Sequence, residues 1–142
     1  MIRKFEKNDI DIIMQIWIKE NIKAHDFIAK QYWEENFESV KKMIPMVEIY
    51  VAIYKNEIVG FIGINGNHIE GIFVASNKQG CGFGSALLEK AKENRNTLTL
   101  SVFQKNRKAI EFYKKNGFEI EKEGLDVATN EKEYEMKWKK QV

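Results

Sequence analysis

The chain has 142 residues, of which 44% are hydrophobic and 31% charged, and its formal net charge is +2. That balance and length describe one globular domain over residues 1–142, and exclude a disordered tail, a collagen-like repeat and a coiled coil. A domain of this size buries ~68–70% of the surface its unfolded chain exposes, enough for a real core.

Met1–Phe5 reads as a short strand. Asn8 and Asp9 are N-cap residues for a first helix to about Asn21, with Ile10, Ile13, Met14 and Trp17 at helical spacing. Ala24–Phe27 looks like a break. A second helix carries Trp33, Phe37, Val40 and Ile44 on one side and stops at Pro45, because the residue before a proline avoids helical geometry. The period then changes. Val47–Tyr54 is β-branched, aromatic and nearly apolar, as a strand covered on both faces should be. Lys55-Asn56-Glu57 turns the chain into a strand Glu57–Ile64, and Asn65-Gly66 is the favoured pair for the next hairpin, into Asn67–Val74. A loop, Ala75–Phe83, leads to a helix from Gly84 to about Asn94, then a strand Thr97–Phe103. This strand–helix–strand crossover should make strands 67–74 and 97–103 parallel. A short helix Arg107–Asn116 ends at Gly117, and strands Gly117–Glu123 and Glu133–Lys139 close the chain. The expected architecture is α/β: a mixed, mostly antiparallel sheet of about seven strands with helices on both faces.

The longest apolar stretches, Ile49–Tyr54 and Ile58–Ile64, are far shorter than the ~18 residues of a membrane span. No apolar signal core follows the first basic residues, and one cysteine makes no internal disulfide, so a reducing cytoplasm is expected. One Cys and two His also argue against structural zinc. Charge is uneven: residues 1–70 carry net −2, residues 71–115 net +6 and residues 116–142 net −2. A basic centre fits a local anionic ligand, or simply a lysine-rich helix surface. With no basic run of five or more and acidic flanks, neither nucleic acid nor membrane is expected as a partner.

Gln79-Gly80-Cys81-Gly82-Phe83-Gly84 follows a strand and opens a helix. Glycines let the backbone approach a ligand, and N–H groups at a helix N-terminus favour anions. A P-loop would need Lys-Ser/Thr after its last glycine, where Ser85-Ala86 stands. A dinucleotide fingerprint would need GxGxxG at the first strand of a βαβ unit, whereas these glycines run GxGxG after an antiparallel meander. The spacing Gln79-x-x-Gly82-x-Gly84 resembles motif A of the GNAT superfamily, the Gcn5-related N-acetyltransferases. Asn106-x-x-Ala109-x-x-Phe112-Tyr113-x-x-x-Gly117-Phe118 resembles that family's second segment, in the family's order and with one strand between the two. His25-Asp26-Phe27, Tyr32-Trp33 and His68-x-Glu70 are similar to the small bacterial YjaB-type branch of the family.

The resemblance implies an acetyl-coenzyme A-dependent N-acetyltransferase whose acceptor is a small-molecule or protein amine, acting as monomer or homodimer. Because fold does not fix function, a non-catalytic acyl-coenzyme A binding or sensing module is the alternative. The backbone of Ile72, Phe73 and Val74 would hold the pantetheine arm, with an oxyanion donor near Ile72 or Phe73. Gln79 and the amides of Gly80, Cys81, Gly82, Phe83, Gly84 and Ser85 would hold the pyrophosphate. Asn106 would touch the cofactor arm, and Tyr113 would protonate the leaving thiolate. Cys81 occupies a free motif position with no base beside it, so it reads as a spacer and not as a nucleophile. His68 and Glu70, two apart on one strand, should share a face and serve as base and its helper. His25, Phe27 and Trp33 would shape the acceptor pocket. No metal is implied.

Overall fold

The computed structural model describes residues 1–141. Seven strands form one sheet: β1 (Ile2–Lys4), β2 (Glu48–Tyr54), β3 (Glu57–Asn65), β4 (His68–Val74), β5 (Thr97–Phe103), β6 (Glu119–Asp126) and β7 (Glu131–Lys139). Their order is β1-β2-β3-β4-β5-β7-β6. Every neighbouring pair is antiparallel except β4 and β5, which are parallel as the crossover rule requires. The helices are α1 (Ile10–Ala24), α2 (Lys30–Met43), α3 (Phe83–Lys92) and α4 (Arg107–Lys115). No helix among the described residues is long and apolar enough to cross a membrane.

Alternation along the central strands splits the core in two. Ile62, Ile64 and Tyr50 face Leu87, Leu88 and Ala91 of α3 and Ile110 and Tyr113 of α4. Val51, Phe61 and Ile49 face Ile13, Trp17 and Trp33 of α1 and α2. Both faces of the central strands are therefore covered, which is why Glu48–Tyr54 reads as a continuous apolar run.

The turns differ in detail from their sequence signals. Tyr54 pairs with Glu57 across Lys55-Asn56, both at positive φ (50° and 66°), as a type I′ turn requires. Asn65 pairs with His68, so the second turn is Gly66-Asn67, not Asn65-Gly66. Only Gly66 has positive φ there, so glycine leads the turn as it does in type II′. The preference for Asn-Gly was outweighed by a register that β3 and β4 fix through their buried faces. β6 starts and ends later than expected and β7 starts two residues earlier, because Asp126 and Thr129 close a polar turn that the charged β6 sequence hides.

The start of the chain is locked by one ion pair. Arg3 donates from both terminal nitrogens to Asp9, at 2.8 and 3.0 Å, and the Glu6 N–H donates to the same carboxylate at 2.8 Å. Asp9 is 6% exposed. The Arg3 hydrogen bonds hold its carboxyl below the usual range, against the opposing effect of burial. Arg3→Ala leaves this carboxylate short of donors and should cost about 2 kcal/mol in urea unfolding at neutral pH. Since the folded pKa is lowered, the pair's contribution is present above the unfolded value of ~3.9 and lost as pH falls through the folded one, so the two proteins should converge in strong acid.

Candidate active site

β4 and β5 pair at one point, His68 with Thr99, and the Thr99 N–H donates to Asn67 O at 2.9 Å. Beyond that point the strands part. β4 also shifts register against β3: Gly63 faces Gly71 but Ile64 faces Ile69, leaving Glu70 as an extra residue in a β-bulge. A groove of about 840 Å³ opens along the parted strands, lined by β4, the loop after it, α4, β5 and the α1–α2 connection.

Hydrogen-bond alternation decides which β4 groups face this groove. The Ala75 N–H donates to Val59 O, so Phe73, two residues back, also turns its N–H and C=O towards β3. Ile72 and Val74 turn theirs towards the gap. This corrects the expectation for Phe73: its backbone serves β3, and its ring packs on Phe61 with centroids 5.2 Å apart.

The glycine loop caps the groove. Gly80 and Gly82 adopt positive φ (79° and 93°), and Gly82 is the N-cap of α3. The first helical bond runs from the Ala86 N–H to Gly82 O. Among the described residues, the six N–H groups from Gly80 to Ser85 have no acceptor. A Cβ on Gly80 or Gly82 would meet nothing within 4 Å, so the concave side is open. Gly80 and Gly84 line the groove itself; Cys81, Gly82, Phe83 and Ser85 stand outside its lining, and Cys81 is exposed.

Gln79 holds the loop in place. Its Nε2 donates to Val74 O at 2.9 Å and to Glu20 Oε1 at 3.3 Å, while its Oε1 accepts from Lys108 Nζ at 3.0 Å. Glu20 is 6% exposed and also accepts from the Ser76 hydroxyl and N–H. One side chain thus joins the end of β4 to α1 and α4.

Asn106 is the N-cap of α4, accepting the Ala109 N–H at 3.2 Å, and its Nδ2 donates to His25 Nε2 at 3.3 Å. His25 Nδ1 lies 3.1 Å from Asn21 O. This pair of partners assigns a neutral ring protonated on Nδ1. Burial pushes the His25 pKa down, partly opposed by the Asn21 carbonyl. The ring stacks on Trp33 at 5.2 Å and meets Phe103 and Phe27 edge-on. Phe27 sits behind this cluster and does not line the groove, unlike His25 and Trp33. Tyr113 lines the groove from α4, is 9% exposed, and packs on Phe112 and Phe118. Its hydroxyl has no hydrogen-bond partner among the described residues, yet it is not sealed in. Burial pushes its phenol pKa up.

The expected His68–Glu70 partnership is not assembled. The bulge breaks the alternation that would put both on one face. Glu70 lines the groove; His68 does not, and its Nδ1 is engaged with Thr99 Oγ1 at 2.9 Å.

A family model for the acetyltransferase (GNAT) domain matches residues 45–120. The chain belongs to the GNAT family of acetyltransferases. It is 31% identical over 120 residues to the peptidyl-lysine N-acetyltransferase YjaB of Escherichia coli, covering 84% of this chain and 82% of that protein. The solution structure of apo YjaB from Escherichia coli superposes with a TM-score of 0.86 at 27% identity, covering 97% of this chain and 96% of that one. A Bacillus anthracis acetyltransferase crystallised with acetyl coenzyme A matches at a TM-score of 0.62 and 28% identity, over 67% of this chain and 63% of that one.

Several residues of this GNAT site escaped sequence reasoning. Glu20 carried a signal: it continues the apolar stripe Ile13–Trp17 at helical spacing, where an acid needs a buried partner. Ser101, Asp126 and Glu133 line the groove too, but they come from distant segments that only the folded sheet brings together.

The His25 network generates a pH test. A folded pKa below the free value of ~6.5 means that its contribution to stability is complete above pH ~6.5 and is lost as pH falls through the folded value. His25→Phe keeps a ring on Trp33 and cannot titrate. In thermal unfolding from pH ~6.5 down towards ~5, wild type should lose stability more steeply than His25→Phe.

Proposed function

We propose that the chain moves an acetyl group from acetyl-coenzyme A to a primary amine by direct attack, with a protein lysine side chain as the acceptor. A single domain over residues 1–142 carries both sites. The observation that supports this best is the run of acceptor-less N–H groups at Gly80–Ser85, opening at the end of the groove that holds Tyr113. The acceptor class is supported by the name of the YjaB relative, and the cofactor by the bound neighbour.

The residues fit the cofactor. The open concave side at Gly80 and Gly82 leaves room for a pyrophosphate against six donors and a helix N-terminus. Lys108, Arg107 and Lys105 line the same groove and supply positive charge. The gap-facing backbone groups of Ile72 and Val74 suit the amides of the pantetheine arm. Asn106 keeps one Nδ2 hydrogen for that arm after its bond to His25. Acetyl-coenzyme A supplies an activated thioester. The Ile72 N–H is the donor for charge developing on the acyl oxygen. His25 and Trp33 stiffen the acceptor wall.

Tyr113 acts as the acid. Its raised pKa keeps it a phenol across the working range. Donation to a thiolate whose conjugate acid has a pKa of ~8.5 is uphill from such a phenol, so it must be coupled to a proton leaving the attacking nitrogen. Tyr113 thereby relays a proton and ends the cycle unchanged.

Acetyl-coenzyme A at ~100 times its dissociation constant should add ~2.7 kcal/mol of stability, read as a higher melting temperature. Gly82→Val puts a β-branched residue at φ 93° and fills the anion cradle, so the folded variant should lose most of that gain. Undiminished cofactor affinity in folded Gly82→Val would remove the pyrophosphate assignment. Tyr113→Phe should lower kcat by ~10²-fold or more with cofactor affinity unchanged. Full activity in that variant would leave Tyr113 a packing residue.

A further inference from the structure

The acceptor end of the groove holds a carboxylate that the rest of the protein leaves unused. Glu133 stands on β7 opposite Phe103 of β5 and Gly124 of β6. It lines the groove with Tyr113 and Glu70. Its neighbours along β7 are paired: Glu131 with Lys105 at 3.2 Å and Glu135 with Lys122 at 3.1 Å. Asp126, also in the lining, accepts from the Thr129 N–H and hydroxyl. The Glu133 carboxylate is half-buried, yet among the described residues it meets no donor and no cation. Gly124 keeps the space beside it clear, since a Cβ there would sit 3.8 Å from Glu133 Oε1.

With no protein donor, the Glu133 carboxylate keeps its lone pairs open to solvent or to a ligand in the groove. Here three acids, Glu70, Asp126 and Glu133, share the groove with the basic residues Lys105, Arg107 and Lys108, of which Lys105 is already paired with Glu131 and Lys108 with Gln79. The same lining includes the rings of His25, Tyr32 and Trp33. Trp33 is 8% exposed, and its Nε1 is the buried side-chain polar atom without a partner among the described residues.

We propose that Glu133 binds the ammonium group of the acceptor and takes its first proton, with Asp126 and Glu70 completing an anionic funnel. This rests on the acetyltransferase reading above. The proton count closes as follows. The ammonium carries three protons on nitrogen, and Glu133 takes one and later yields it to solvent. The neutral amine's lone pair forms the C–N bond, and the C–S bond breaks. A second nitrogen proton replaces the one that Tyr113 gives to sulfur. The amide keeps the third.

The surroundings suit that role. Burial raises the Glu133 pKa first, and the charges of Asp126 and Glu135 raise it further, while His68 on β4 works the other way. A carboxyl raised in this way is a better proton acceptor than a free one. It also stays protonated to a higher pH, so the acidic limb of the rate profile should belong to it.

The test uses butylamine, the side chain of lysine without its backbone, and reads thiol release against pH. Glu133→Gln should lower kcat/KM by ~10²-fold or more and abolish the acidic limb, with the acetyl-coenzyme A melting shift intact. Asp126→Asn should move that limb to lower pH, which a merely structural role would not do. NMR titration of butylamine should show affinity at least ~10-fold weaker in Glu133→Gln than in wild type. Profiles that superimpose for wild type and Glu133→Gln overturn the inference. So does a wild-type protein that binds acetyl-coenzyme A but neither binds nor acetylates butylamine. Loss of the melting shift in wild type itself would instead overturn the underlying reading.

Discussion

The site depends on a sheet that fails to close. Two parallel strands meet at His68 and Thr99 and then separate. Separation strands a row of backbone groups, which ordinarily carries a penalty comparable to lost hydrogen bonds. The protein tolerates it because the groups line a groove that solvent or a ligand can enter. The extra residue at Glu70 bends β4 as the strands part. Every other part of the site is arranged around this opening: the glycine loop at its end, α4 along its floor, and the His25 cluster across from them.

The N-terminus of α4 is placed by neutral hydrogen bonds, beside the bond that Lys108 makes to Gln79. Asn106 both caps the helix and bonds His25, which in turn bonds the end of α1. Helices from opposite faces of the sheet are thus joined through one imidazole. The tyrosine on α4 is held at its ring by Phe112 and Phe118, while its hydroxyl stays unengaged. Packing fixes the ring and leaves the O–H without a protein partner among the described residues.

Much of this was legible in the sequence. Strand and helix identities follow from period and from punctuation by glycine and proline, and the parallel pair follows from the crossover rule. The glycine loop was legible because its chemistry is local: successive N–H groups need only the right residues in a row. The His68–Glu70 pairing was misjudged for a physical reason. Two-residue alternation holds only in a regular strand, and nothing in His68-Ile69-Glu70-Gly71 announces that one residue is extra. The hairpin turn slipped by one residue because register is set by which side chains face the core. Glu70 was named in advance, but its company with Asp126 and Glu133 was invisible, since the three lie on different strands.

Gln79 has a wider consequence. An amide is the one side-chain type that can give a proton to Glu20 and Val74 O while accepting one from Lys108 through the same planar group. An arginine in its place would offer only donors. It would pair with Glu20 more strongly, but it would face the Lys108 ammonium with no acceptor and a second positive charge. The two positions are therefore chemically yoked. An arginine at position 79 would call for something other than a lysine at position 108, the second residue of α4, so the two positions change together or not at all.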